Sequence, residues 1–199
     1  MQTDWYDASL TTWAAMLDRQ AGRHGPRTFL AMNGSKVTYA EFRAKADDLA
    51  RGLMALGVDK GDVVAIWMTN SIEWVICQFA VYKAGGILLP LYSYYRQSEL
   101  EYALNQAEAS VLIMTDRFLG KVDARAIVRQ CIPELDTAAA DDFFSAAVPS
   151  LRHIIRVGPG EELRSRLTLE EVAARGAETE QAALASRQDG TIDAWSRGS

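Results

Sequence analysis

The chain has 199 residues, 49% of them apolar and 24% charged, so it is long enough for one substantial hydrophobic core and has an ordinary globular composition. Its 21 basic and 26 acidic side chains give a net charge of −5, which argues against a nucleic-acid-binding surface because such surfaces cluster lysine and arginine. No secretory signal is visible, and the longest apolar run, 74–84, is too short to span a bilayer, so we expect a cytoplasmic protein without a membrane span.

The N-terminal region predicts a helix followed by a hairpin. Apolar side chains recur at helical spacing in Leu10, Trp13, Ala14 and Leu17. The loop residues 22–26 are expected to end this helix. Asn33-Gly34 is a strong hairpin signal between the predicted strands 28–32 and 36–38.

Strands and helices then alternate along the chain. Thr38 and Glu41 form a capping box, which predicts a helix that runs to Gly57. The continuously apolar strands that we expect are 63–67, 87–91 and 111–114, and 152–157 is expected to be a further strand. The helices expected between them are 71–84, about 98–107, and a helix capped by Asp116 that runs through 129. Helical crossovers are what parallel strands require, so the pattern predicts an α/β fold of three layers, with a mainly parallel sheet and helices on both faces.

The last part of the chain predicts fewer elements. Besides the box at Thr38, capping boxes are expected at Ser98 with Glu101 and at Thr168 with Glu171. Residues 133–142 are interpreted as a surface excursion, and 158–160 as a turn. From Gly176 onward no coherent apolar face is visible, so we divide the chain into residues 1–175, one folded part, and 176–199, a weakly ordered tail.

Few residues suggest chemistry by themselves. Gly85-Gly86 follows a helix and precedes a strand, the reverse of the order in a phosphate-binding loop, so the pair is interpreted as a helix end. Lys83 is explained by the helix macrodipole without a catalytic role. The two histidines have no neighbour at metal-ligand spacing, and no metal site is predicted. The two cysteines, Cys77 and Cys131, favour buried thiols over a disulfide.

One cluster of aromatic residues is a candidate binding site. Tyr92, Tyr94 and Tyr95 with Arg96 follow directly after a predicted strand, and ligands of α/β sheets bind outside the carboxyl ends of parallel strands. Tyrosine rings beside a guanidinium could hold an adenine ring or a phosphate. The alternative is a helix-entry loop whose aromatic rings pack on neighbouring elements.

Several segments together resemble the AMP-forming acyl-CoA synthetases. The segments are 37–42, 61–66, 70–74, 82–91, 98–104 and 149–155, which are similar in order and spacing to the beginning of that family. The resemblance covers about residues 10–175. It implies a reaction in which a carboxylate attacks the α-phosphate of ATP to give an acyl-adenylate and pyrophosphate, after which the thiol of CoA displaces AMP.

The resemblance also implies ligands and a missing part. ATP, Mg²⁺, CoA and a carboxylic acid would be the ligands of the complete enzyme, whereas the ATP loop and the acid pocket lie further along the family sequence. Members of the family often carry Asn-Pro-Arg near 92–94, where the arginine contacts CoA. In this chain Tyr94 stands there, and Arg96 is the candidate substitute, so these two are the predicted CoA or nucleotide contact.

The end of the chain departs from the family. Residues 189–192 resemble the lead-in to the ATP loop, but 193–199 lack its Ser/Thr/Gly-rich run and lysine. We therefore expect a fragment that does not adenylate an acid by itself. The alternatives are a noncatalytic partner-binding module or half of a split enzyme, each with an exposed apolar surface that favours self-association, and a dinucleotide binder without the glycine fingerprint.

Overall fold

A computed structural model describes residues 12–118, 120–136, 144–158, 167–179 and 181–189. The first elements are a helix and a hairpin: α1 (Trp13–His24), β1 (Thr28–Met32) and β2 (Ser35–Thr38). The turn residues Asn33 and Gly34 both have positive φ, 50° and 83°, as a two-residue hairpin turn of this type requires. The predicted hairpin is confirmed, and α1 extends three residues into the expected loop.

The alternating elements follow in the predicted order. They are α2 (Tyr39–Ala55), β3 (Val63–Trp67), α3 (Ile72–Ala84), β4 (Ile87–Pro90), α4 (Gln97–Gln106) and β5 (Val111–Met114). A small hairpin and a helix come next, namely β6 (Arg117–Phe118), β7 (Val122–Asp123) and α5 (Ala124–Cys131). The last elements are β8 (His153–Arg156), β9 (Leu167–Thr168), α6 (Leu169–Arg175) and α7 (Gln181–Asp189). Short 3₁₀ turns cover Pro133–Asp136 and Gly176–Glu178.

Five of these strands form one parallel sheet, in the order β4-β3-β5-β8-β9. The described core consists of two clusters, one on each face of this sheet. One cluster lies under α1, α2 and α3, and the other lies under α4 and α5. The three-layer α/β fold with a mainly parallel sheet is therefore confirmed.

Three local predictions at helix starts have different outcomes. The boxes at Thr38 and Thr168 are confirmed, since each threonine hydroxyl accepts the N–H of the glutamate three residues on. The box at Ser98 is wrong, because the N-cap of α4 lies two residues earlier, at Arg96, whose N–H donates to Glu99 Oε2 at 2.8 Å.

The predicted cap at Asp116 is wrong as well. Asp123 caps α5 instead, and its carboxylate accepts the N–H of Ala126 at 2.9 Å. The sequence pattern did not show which of Asp116 and Asp123 caps α5. The hairpin β6–β7, which separates the Asp116 position from the helix, has only two residues in each strand and so gives no visible period.

The segment beyond Gly176 contains a helix that the sequence did not predict. Helix α7 packs against α3, and Leu184 is fully buried there. Arg187 donates to Asp59 Oδ1 at 2.8 Å and to the carbonyl of Val58 at 3.4 Å, which ties the helix to the loop before β3. Among the described side chains, Leu184, the Arg187 guanidinium and a hydrogen bond from Arg51 to Gln181 at 3.2 Å hold this helix, so no amphipathic stripe was visible. The predictions for 190–199 lie outside the described residues.

Candidate functional site

The carboxyl edge of the sheet contains a cleft of about 640 Å³. It lies where β5 and β8 end and where α3 and α6 begin, as expected for a ligand site in a parallel α/β sheet. The lining residues are Ser71, Glu73, Thr115, Asp116, Arg117, Arg125, Val157, Gly158, Leu169 and Glu170.

The floor of the cleft follows directly after β5. The hydroxyl oxygen of Thr115 is buried and has no hydrogen-bond partner among the described residues. Asp116, 8% exposed, accepts the N–H of Arg125 at its carbonyl, 3.1 Å away. Arg117 pairs with Asp123 at 3.0 Å. A polar group of suitable size would therefore meet a hydroxyl that the fold leaves unsatisfied.

The cleft does not fit a triphosphate. Three carboxylates, Glu73, Asp116 and Glu170, line it together with two arginines, and Arg117 is already paired with Asp123. The hydroxyl of Ser71 accepts the N–H of Trp74 at 3.0 Å and so caps α3 instead of presenting that amide to a ligand. A phosphate site needs clustered cations or open backbone amides, so we derive no phosphate chemistry from these residues.

The predicted site residues Tyr94 and Arg96 lie on the same edge of the sheet but not in this cleft. Trp67, fully buried in β3, donates its indole N–H to the carbonyl of Tyr92 at 3.0 Å, which fixes the loop after β4. Tyr92 and Tyr94 are 62% and 58% exposed, and their ring centroids are 5.4 Å apart. Arg96 is exposed at the start of α4.

A second, smaller hollow of about 330 Å³ lies beside that loop on α4. Tyr95, Ser98, Glu99 and Tyr102 line it. Their spacing of i, i+3, i+4 and i+7 places them on one face of the helix. We call this hollow the α4 groove.

The residues that line the cleft were not predicted from the sequence, because they form no recognisable motif and lie far apart along the chain. Thr115 and Asp116 directly follow a predicted strand, and this position was the one available signal. The alternative role of Asp116 as a helix cap concealed it. Ser71, Arg125 and Glu170 come to the cleft only through the tertiary fold.

Shifted pKa values occur away from the cleft. The backbone N–H of Thr38 and then its hydroxyl lower the pKa of Glu41, and the same groups of Thr168 lower that of Glu171. Burial, followed by the charge of Glu101, raises the pKa of the Cys131 thiol to about 11. These shifts reflect helix capping and burial and do not indicate an acid or base poised for catalysis.

Lys83 occupies a buried ion cluster. It lies in the last turn of α3, as the macrodipole interpretation requires, but its side chain is fully buried. Its Nζ is 2.7 Å from Asp18 Oδ1 and 2.8 Å from Asp47 Oδ1, and Arg43 Nε is within 3.4 Å of both carboxylates. The lysine therefore joins α1, α2 and α3, a structural role that the sequence did not show.

The described ranges contain neither a metal-binding cluster nor a membrane-spanning helix. No group of three histidine, cysteine, aspartate or glutamate side chains there is arranged to hold a metal ion. None of the helices in that part of the chain has the length and unbroken apolar character needed to cross a bilayer.

Comparison with known proteins gives consistent matches to ligases. The protein YngI of Bacillus subtilis, named as an acyl-CoA synthetase, is 39% identical over 123 residues, 62% of this chain and 22% of YngI. The mitochondrial medium-chain acyl-CoA ligase ACSF2 of Rattus norvegicus is 30% identical over 181 residues, 90% of this chain and 29% of that protein. The chain thus spans between a fifth and a third of the length of these relatives.

Solved structures agree with the sequence relatives. A Rhodopseudomonas palustris protein named as a long-chain-fatty-acid CoA ligase superposes with a TM-score of 0.66 at 25% identity, over 81% of this chain and 36% of the other. The anthranilate CoA ligase AuaEII, solved with anthranoyl-AMP, shares the fold with a TM-score of 0.65 at 23% identity, over 82% of this chain and 28% of its own. The family model described as AMP-binding enzyme matches residues 17–183, and this chain therefore belongs to the AMP-binding enzyme family.

Proposed function

We propose that this chain is the N-terminal part of the adenylate-forming half of a carboxylic acid–CoA ligase and does not adenylate an acid by itself. The observation that carries the proposal is the match to the AMP-binding enzyme family over 17–183, combined with coverage of only 22% and 29% of YngI and ACSF2. The cleft supports it, because three carboxylates and a capped helix start do not fit a triphosphate.

The ligands proposed for the complete enzyme are ATP, Mg²⁺, CoA and a fatty or aryl carboxylic acid. The names of the relatives support CoA and an acid, and the AuaEII complex supports an acyl-adenylate. For this chain we propose a cytoplasmic location, although the ACSF2 relatives are named as mitochondrial. The residues described here supply the sheet and the helices beside the nucleotide site.

The test is pyrophosphate exchange into ATP with fatty and aryl acids. We expect no exchange by the isolated, folded chain. A chimera in which the aligned stretch of this chain replaces the matched 123 residues of YngI should restore exchange. Exchange by the isolated chain would refute its inactivity, and a folded but inactive chimera would refute its role as part of a ligase.

We further propose Tyr94 and Arg96 as a contact for CoA or nucleotide in the complete enzyme. Support comes from their exposure at the carboxyl edge, on a loop fixed by Trp67. In the active chimera, Arg96→Ala should raise the KM for CoA or ATP with little change in kcat, because a ground-state contact is lost. Unchanged KM values for both ligands would exclude this contact.

Half of a split enzyme is a second candidate function. Exposed tyrosines, above all Tyr102 at 68%, favour a surface that another polypeptide covers. A noncatalytic partner-binding module would share this property. Activity restored by adding the YngI segment that follows the matched stretch would favour the split enzyme, and binding without activity would favour the module.

A further inference from the structure

We propose that α1 is a strap that opens from the folded chain as a unit while the sheet and the other helices stay intact. The latch is the buried lysine Lys83, whose ammonium group is shared between a carboxylate on α1, Asp18, and one on α2, Asp47. Because the lysine keeps Asp47 when α1 leaves, opening does not strand a buried charge. This motion does not depend on whether the chain is part of a ligase.

Helix α1 has a weak apolar hold on the rest of the chain. Its buried side chains are Ala14, Leu17 and Ala21, and of these three only Leu17 belongs to a core cluster. Trp13, the largest apolar side chain of the helix, is 58% exposed. Burial of an alanine stabilises far less than burial of a leucine, since the free energy scales with the apolar area removed from water. Separation of α1 therefore exposes few apolar side chains of its own.

A fixed pivot follows directly after the helix. The carbonyl of Gly25 accepts the N–H of Ala40 at 3.0 Å, and the carbonyl of Arg27 accepts the N–H of Tyr39 at 3.0 Å. These bonds attach the chain after α1 to the first turn of α2. Gly22, in the last turn of α1, has no atom within 4 Å of its Cβ position, so the space beside it is open. The helix can therefore separate without disturbing the hairpin or α2.

The charges of the cluster alternate in a way that permits this motion. Lys83 Nζ lies 2.7 Å from Asp18 Oδ1 and 2.8 Å from Asp47 Oδ1. Arg43 Nε lies 3.2 Å from Asp18 Oδ1 and 3.4 Å from Asp47 Oδ2. In the open state Asp47 still pairs with both cations, and water reaches Lys83 from the side that α1 covered. A lysine paired with Asp18 alone would hold α1 much more firmly, because removing the one partner of a buried charge is strongly destabilising.

Native-state hydrogen exchange in low urea tests the opening in the unmodified chain. A released helix of 12 residues is marginal in water, so the amides of α1 exchange whenever the strap opens. We expect them to share one free energy of opening and to exchange at least about tenfold faster than the amides of α3. That free energy should depend weakly on urea, because opening exposes little surface. Equal protection and equal urea dependence of α1 and α3, or protection that rises steadily along α1 as in fraying, would overturn the proposal.

Two matched carboxylate variants test the role of the shared lysine. Asp18→Asn removes a contact that exists only in the closed state, so exchange in α1 and in α3 should accelerate by the same factor, about tenfold. Asp47→Asn weakens the closed and the open states alike and leaves the lysine paired with α1 alone. Exchange in α3 should then accelerate about tenfold while exchange in α1 does not, so the difference between the two helices narrows. Equal acceleration of both helices in Asp47→Asn would contradict the shared latch.

Acetylation by a water-soluble N-hydroxysuccinimide ester, read by mass spectrometry, gives an independent readout that needs no variant. Lys83 is fully buried, so the reagent reaches it only through opening, whereas Lys45 on α2 is exposed and serves as the control. Labelling of Lys83 should be at least about a hundredfold slower than that of Lys45 and should show the same weak urea dependence as exchange in α1. If Asp47→Asn does not fold, this comparison replaces it. Labelling of Lys83 that follows the steeper urea dependence of α3 would show that the lysine is reached only by global unfolding and would overturn the strap.

Discussion

Individual side chains show how burial controls chemistry in this protein. Cys77 and Cys131 are both free and buried, but they belong to the clusters on opposite faces of the sheet, so a disulfide between them is not possible. Burial raises the pKa of both thiols. The prediction of two buried thiols is confirmed, and the reason is the position of each residue relative to the sheet.

Cys131 should react slowly with thiol reagents. With a pKa of about 11, only about one thiol in a thousand is ionised at pH 8, against roughly a quarter for an ordinary cysteine. Labelling with Ellman's reagent at pH 8 should therefore be slower than for free cysteine by a factor on the order of 200. In urea both thiols should label rapidly, and fast labelling of the folded chain would contradict the burial of this residue.

Lys83 should be the most sensitive charged residue of the described structure. Lys83→Met removes the partner of two carboxylates, and breaking a buried ion cluster costs about 3 kcal/mol when a second cation, here Arg43, remains nearby. Urea denaturation measures the loss. The matched control is Lys45→Met, which removes the same charge from an exposed position of α2. Equal losses for the two variants would show that net charge, and not the cluster, matters.

At the scale of elements, close helix contacts attach the C-terminal part to the rest. Gly52 in α2 faces α6, and a Cβ at this position would lie 2.0 Å from the carbonyl oxygen of Val172. Gly176 packs against the same turn of α2, because a Cβ on Gly176 would lie 2.5 Å from the backbone nitrogen of Gly52. Two glycines thus allow backbone-to-backbone approach, and neither was recognised from the sequence.

Alanine should have opposite effects at two helical glycines. Gly52→Ala should destabilise the fold by about 1–3 kcal/mol, because overpacking exceeds the gain in helix propensity. Gly22→Ala in α1 should stabilise by about 0.5–1 kcal/mol, since no atom lies within 4 Å of its Cβ position. Thermal or urea unfolding of both variants measures the difference. A gain in stability at Gly52 would show that α6 does not pack there.

At the scale of the whole molecule, one sheet joins two half-cores. Leu112 and Ile113 are adjacent and fully buried in β5, but they point to opposite clusters. Strand β5 is the middle strand of the sheet, hydrogen-bonded to β3 and β8. A substitution that destabilises the core cluster on one face of the sheet should therefore also destabilise the cluster on the other face, through the hydrogen bonds of β5.

Leu112→Ala should destabilise both faces together. We expect a loss of about 2–5 kcal/mol from the cavity and the lost apolar burial. Amide exchange in α2, on the opposite face, should lose protection by the same free energy, because small domains unfold as one unit. Ile87→Ala, at a 42% exposed position of edge strand β4, should cost much less. Loss of protection confined to α4 and α5 would show that the half-cores unfold separately.

The sequence predicted well those features that depend on local spacing. Apolar runs of four or five residues located β3, β4 and β5, and Thr-x-x-Glu located the starts of α2 and α6. Helix α7 was not predicted because Leu184 is its one buried side chain among those described. The hairpin before α5 was not predicted because strands of two residues have no period.

The sequence alone determined the layered α/β fold and the family resemblance, since both depend on residue order along the chain. The tertiary structure decided which residues meet. It placed Thr115 and Asp116 beside Glu73 and Glu170, separated Tyr94 and Arg96 from that cleft, and buried Lys83 between two carboxylates. Local periodicity specifies which face a side chain takes, whereas proximity between distant segments depends on strand order and helix packing, which spacing does not contain.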